Sequence, residues 1–259
     1  LPPSAPAAVL AYLGAQGDWV ARERVMTLLW PDASEQAAQH HLRVTLHRAR
    51  LITTQWGFGE RLQTERRRLR LDLPCDVVAF RQAVGRADWA QAVALHAAPL
   101  LSSFSVRGFA AFDEWVSLER EALTAAWRSA ALRQAAALEG HGNASAAAAL
   151  LQDQLHDDLL AEDTLQALLR VATAAGARDA ALQAYERFCR RARDELGLDP
   201  LPGTQALAES LRRAEPQRPA PVLVRTPGIV PPAVLQPPLV GRDAERVQLQ
   251  QAGDGLTLV

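Results

Sequence analysis

Between Gln36 and Arg50, side chains that can hydrogen-bond a base edge or a phosphate recur at helical spacing: Gln36, His40, Arg43, His47 and Arg50. At 100° per residue they share an arc of about 80°, while Ala38, Leu42, Thr45, Leu46 and Ala49 share an arc of about 100° on the opposite side. None of the five polar residues is acidic. A helix face kept only for solubility usually mixes both signs. An acid-free stripe points instead to a polyanionic partner, with an ordinary solvated face as the plain alternative. Arg43 and Arg50 are the strongest base readers, since a guanidinium can grip guanine O6 and N7 together, worth about 1–3 kcal/mol of discrimination. His40 and His47 suit a base or a phosphate. The sequence around them does not supply the roughly four ligands a zinc ion wants. Arg48 lies off the stripe, where a phosphate contact and an intramolecular ion pair are the alternatives.

A second basic group follows. Arg61-Leu62-Gln63-Thr64 and Arg68-Leu69-Arg70-Leu71-Asp72-Leu73 flank Glu65-Arg66-Arg67, and Leu69, Leu71 and Leu73 alternate with polar residues as in a half-buried strand. Two strands around a short polar connection make a hairpin with Arg66 and Arg67 at its tip and Arg68 beside them. These three arginines suit phosphate neutralisation, against a solvated turn. Residues 1–74 hold ten Arg and seven acids, residues 75–214 fourteen and eighteen, and residues 215–259 four of each. A basic segment in an otherwise acidic chain is the electrostatic footprint of a nucleic-acid contact.

The elements that hold these groups are short helices. Pro6 to Gly14 and Arg22 to Trp30 carry apolar residues at helical spacing, linked through Trp19-Val20 as a brief extended segment. Pro31 and Asp32 end the second helix, because proline lacks the donor that the next turn needs. Ser34 is the expected N-cap of a third helix running to about Leu51. Helix, helix, longer polar-faced helix and basic hairpin is the order of a winged helix-turn-helix, which sets the third helix in the major groove and the hairpin against the backbone.

From Cys75 onward the chain becomes alanine-rich and helical. Gly142–Ala148 matches Gly176–Leu182 at an offset of 34, and the same offset pairs Leu151 with Tyr185. That period is a tetratricopeptide signature. Trp30, Trp115, Tyr185 and Phe188 are expected to be packing residues. Arg187, Arg190, Arg191 and Arg193 fall late in a helix, where cations favour its dipole, with a partner contact as the alternative. Residues 215–238 hold eight of the 16 prolines and form an extended linker. Leu239–Glu245 and Leu256–Val259 look like the opening of a further domain. The expected architecture is mainly α: a winged helix over residues 1–74, a tetratricopeptide-like helical domain over 75–214, the linker over 215–238, and the start of another module over 239–259.

Several ordered stretches carry a family resemblance. They are Leu10-Ala11-Tyr12-Leu13, Arg22-Glu23-Arg24-Val25 leading to Leu29-Trp30-Pro31-Asp32, and Leu42-Arg43-Val44 with Arg48-Ala49-Arg50. They continue with Asp76-Val77 and Phe80, Trp115 with Glu119-Arg120-Glu121-Ala122-Leu123, Ala181-Leu182 with Tyr185, and Glu195-Leu196-Gly197-Leu198-Asp199-Pro200. Over roughly residues 8–213 the chain resembles SARP-type bacterial regulators, which join an OmpR-type winged helix to a bacterial transcriptional activator domain. The Leu-Trp-Pro-Asp and Glu-Leu-Gly-Leu-Asp-Pro stretches are the most specific. The resemblance implies double-stranded DNA and RNA polymerase as partners, self-association, a cytoplasmic location, and an NTPase module after the activator domain. Leu239–Glu245 resembles the start of that module, so the chain reads as a fragment ending before the nucleotide site, with ATP a cofactor of the longer protein only. Two departures stand out. The family's winged helix begins with a small sheet, whereas this sequence opens at its first helix, and its wing carries a Gly and an aromatic where Arg67 and Arg68 stand here.

Enzyme classes fare badly. The 28 basic residues are all Arg, so no lysine can complete a phosphate loop, form a Schiff base or act as a base. No nucleophile elbow, zinc-protease helix motif or glycine-rich phosphate loop occurs. Cys75 and Cys189 have neither metal nor disulfide spacing, and no run of 18 apolar residues suggests a membrane span. The sequence therefore predicts a DNA-binding transcriptional regulator, an activator by resemblance, with no cofactor in this segment. A repeat-based sensor or adaptor for a peptide, protein or small molecule, using the winged helix as a protein contact, is the alternative.

Overall fold

The computed structural model describes residues 3–95, 98–102 and 104–213. The expected linker and the following module start lie outside the described residues. What is described is mainly helical: a winged helix leads into a tetratricopeptide-like helical array.

The first helices are Ala5–Gln16 (α1), Arg22–Leu29 (α2) and Glu35–Gln55 (α3). Ser34 caps α3, its hydroxyl accepting from the Ala37 amide at 3.3 Å, which satisfies one of the orphan donors of the first turn. The helix ends at Gln55, a turn later than the apolar spacing predicts, because buried Thr53 continues the inward face. Its inward side is the expected one, with Ala49 fully buried and Leu42 nearly so.

Three strands form the sheet: Val20–Ala21 (β1), Leu62–Thr64 (β2) and Arg68–Leu71 (β3), in the order β1-β3-β2. All pairings are antiparallel, with Val20 opposite Leu69 and Thr64 also opposite Leu69 on the other side. The link expected at Trp19-Val20 is thus partly a sheet strand. Leu69 and Leu71 point into the core, while Arg68 is exposed and Arg70 half-buried.

Seven helices follow: Asp76–Gly85 (α4), Trp89–Leu95 (α5), Ala110–Gly140 (α6), Ala144–Asp157 (α7), Glu162–Ala175 (α8), Arg178–Leu196 (α9) and Pro202–Arg213 (α10). The 34-residue repeat maps onto α6–α7 and α8–α9. Gly142 and Gly176 hold φ of 77° and 66° just before α7 and α9, and Ala147 and Ala181 are both fully buried where neighbouring helices approach. Leu151 and Tyr185, the other matched pair, are also core residues, as is Phe188.

The long α6, about 45 Å at 1.5 Å per residue, runs through three separate apolar clusters. Phe112 and Val116 complete the core of the winged helix with Leu13, Leu42 and Leu69. Ala130 joins Phe80, Ala83 and Ala92, and Ala135 joins the repeat core around Leu151 and Leu165. The Trp115 ring meets Tyr12 edge-on at 4.8 Å between centroids, and Trp30 meets Phe109 at 6.3 Å. Residues 1–74 therefore do not close their own core.

Candidate nucleic-acid interface

The five stripe residues stand exposed along one side of α3. Gln36, Arg43 and His47 meet no side-chain partner among the described residues, and His40 stacks only loosely on His41, 6.3 Å between centroids. The stripe is continuous with the wing because of Arg50. Its Nη2 donates to the Leu62 carbonyl at 3.4 Å and to Thr64 Oγ1 at 3.1 Å. Those bonds tie the end of α3 to β2, so the same guanidinium that sequence spacing marks as a reader also positions the hairpin.

The hairpin tip is pinned from the other side. The Arg22 amide donates to the Arg67 carbonyl and Arg22 Nε to the Glu65 carbonyl, each at 3.0 Å. Arg68 donates Nε to Glu65 Oε2 at 2.7 Å and lies 4.4 Å over the Trp19 ring. The hydrogen bond from Arg68 holds the Glu65 carboxyl below its ordinary range. Both groups are exposed, so salt screens the pair and its stabilising effect is small. Arg66 and Arg67 at the tip, and Arg48 off the stripe, have no side-chain partner among the described residues. Arg61 and Arg70 both pair with Asp72, each at 3.3 Å.

The eight arginines between His41 and Arg70 thus fall into two groups. Among the described residues, Arg43, Arg48, Arg66 and Arg67 present unpaired guanidinium groups. Arg50, Arg61, Arg68 and Arg70 are engaged within the fold. Unpaired cations along a helix face and at an adjoining hairpin tip can neutralise phosphates, and Arg43 is free to offer a bidentate pair of donors to a guanine edge.

Sequence reasoning missed four contributors. Trp19 supports Arg68, and Arg22 anchors the tip through contacts spanning 43 residues, which no local spacing signals. Val44 and Leu51 are exposed beside the stripe; their helical angles, extended from the polar set, would have found them. Far from this surface, Arg191 pairs with Glu195 at 2.5 Å and Arg193 with Asp199 at 3.0 Å, in keeping with a structural role late in α9. No described helix is long and apolar enough to cross a membrane.

The chain has no match among curated protein sequences. Among solved structures it is similar to Mycobacterium tuberculosis EmbR in complex with a low-affinity phosphopeptide, with a TM-score of 0.54 and 24% identity. That similarity covers 82% of this chain and 60% of the EmbR chain, and at this identity it speaks for the fold alone. The bacterial transcriptional activator domain matches residues 75–212, from the start of α4 to the end of α10 and more than half of the sequence. The chain belongs to the bacterial transcriptional activator domain family.

Proposed function

We propose that the protein is a sequence-specific DNA-binding transcriptional activator. In this reading α3 enters the major groove with Gln36, His40, Arg43, His47 and Arg50 toward the bases and phosphates. The hairpin sets Arg66, Arg67 and Arg68 against the flanking backbone. Phosphate contacts fix the register and base contacts supply the sequence preference. The helical array then offers a surface to RNA polymerase or to a second copy, so that bound protein recruits the transcription machinery in the cytoplasm.

One observation carries the reading. An exposed, acid-free stripe runs along α3 directly opposite a buried leucine and alanine face, and Arg50 joins it to a basic hairpin. The helix is thereby held from behind with its polar side free. The winged-helix fold and the activator-domain membership both support this use.

The test is selection of bound duplexes from a random DNA library, followed by gel retardation with the enriched sequence. The expected result is one enriched motif, retarded by the parent chain and not by the Arg43→Ala, Arg50→Ala double variant with native circular dichroism. Enrichment of no motif, or equal retardation by the double variant, would overturn the reading.

A further inference from the structure

A cavity of about 410 Å³ opens away from the stripe, between α1 and β3 on one side and α4, α6 and the turn at 98–101 on the other. Its walls are mostly apolar, with Leu10, Ala11, Leu71, Phe80, Leu101 and Leu123 prominent among them. This volume lies within the range of sites that enclose small molecules.

Among the described residues, the charged groups at its edge are already occupied within the fold. Arg120 donates Nε to the Leu100 carbonyl at 2.6 Å and Nη2 to the Leu101 carbonyl. Asp76 accepts from the Val77 amide at 2.8 Å and from the Cys75 thiol at 3.5 Å. Burial pushes the Cys75 thiol above its ordinary range, so it is neutral at pH 7. An ionic ligand would lose its hydration against these walls and find no unpaired charge among the described residues in return. An uncharged ligand has no such loss.

The turn that forms one wall is strained. Leu101 holds φ of 50°, in the left-handed region that a bulky side chain rarely adopts. Such conformations persist only where the surroundings over-determine them, and they concentrate at ligand clamps. Here the restraint is the double hydrogen bond from Arg120, which fixes the backbone of the turn while Leu101 lines the cavity.

We propose that this cavity is a binding site for a small, uncharged, largely apolar molecule of about 20 non-hydrogen atoms. Because α1 and β3 belong to the winged helix and α4 and α6 to the activator segment, a molecule seated there contacts both. The site is independent of the DNA-reading surface, and its test needs no DNA.

The probe is N-phenyl-1-naphthylamine, a neutral fluorophore of comparable size, titrated into the 259-residue chain. The expected result is a single saturating site in the micromolar range. Ala11→Trp, which fills the cavity, should weaken binding by about tenfold or more, while Ala136→Trp, at an exposed position farther along α6, should leave it unchanged. In a Cys189→Ala chain, saturating probe should slow the reaction of Cys75 with N-ethylmaleimide by about fivefold or more, through burial of the thiol. That second measurement keeps the test independent of how Ala11→Trp folds. Non-saturating fluorescence, equal binding by parent and Ala11→Trp, or an unchanged Cys75 labelling rate would each overturn the proposal.

Discussion

Arg43 and Arg50 are alike in the sequence and different in the fold. Both fall on the polar stripe, and the 100° spacing is enough to find them. Only Arg43 is free of partners among the described residues; Arg50 has turned to Leu62 and Thr64, partners 12 and 14 residues away on a strand. Such a contact depends on where the hairpin folds back, which helix periodicity does not encode. Arg68 is a parallel case, held by Glu65 and stacked over Trp19. Glu65 is the acid nearest the hairpin tip and neutralises part of its charge. Replacing it with Gln removes a negative charge and releases Arg68 from its pair. Glu65→Gln should tighten binding to every DNA sequence by a few-fold and steepen the salt dependence by about one counterion, without changing base preference. Anisotropy titrations on matched and scrambled duplexes check this, and a change confined to one sequence would contradict it.

Among the elements, the regular ones were the legible ones. The three helices, the basic hairpin and the 34-residue repeat follow from period, capping and glycine placement. The last is legible because Gly142 and Gly176 occupy the same left-handed position before α7 and α9. Of strand β1 only the extended backbone at Val20 was legible and its pairing with β3 was not, since two residues carry no alternation to detect. Nor was the contact between α1 and α4. Gly17 ends α1 with φ of 68°, and a Cβ added there would stand 2.5 Å from Val78 Cγ2. Gly17→Ala should therefore destabilise the protein by about 2 kcal/mol or more, from both the left-handed backbone and the overlap. Combining it with Val78→Ala should recover part of the loss, because the overlap disappears while the backbone strain remains. Urea unfolding of the single and double variants measures this, and a Gly17→Ala midpoint equal to the parent's would contradict it.

At the scale of the whole molecule, the single helix α6 threads the winged-helix core, a small central cluster and the repeat core. Its residues Phe112, Val116 and Ala130 look in sequence like one amphipathic face, with Ala135 about 140° around the helix from Phe112. Their separate partners emerge only when α1 and α3 are in place, so the shared core was beyond sequence reasoning. Phe112 is fully buried among residues of the winged helix. Phe112→Ala should cost about 3–5 kcal/mol and weaken DNA binding at temperatures where the parent still binds, although residue 112 is remote from α3 in sequence. Thermal melts paired with retardation assays test this, and an unaltered melting temperature would contradict it. The central claim, that α3 reads sequence while the hairpin grips phosphate, is tested most directly by anisotropy titrations across a potassium chloride series. The parent, Arg43→Ala and the Arg66→Ala, Arg67→Ala double variant are compared on the selected duplex and on a scrambled one. The predicted result is that Arg43→Ala loses about 1–3 kcal/mol of preference for the selected duplex. The double variant instead loses affinity for both duplexes, and its salt slope falls by about two. An Arg43→Ala chain with the parent's preference, or a double variant with the parent's salt slope, would contradict the account.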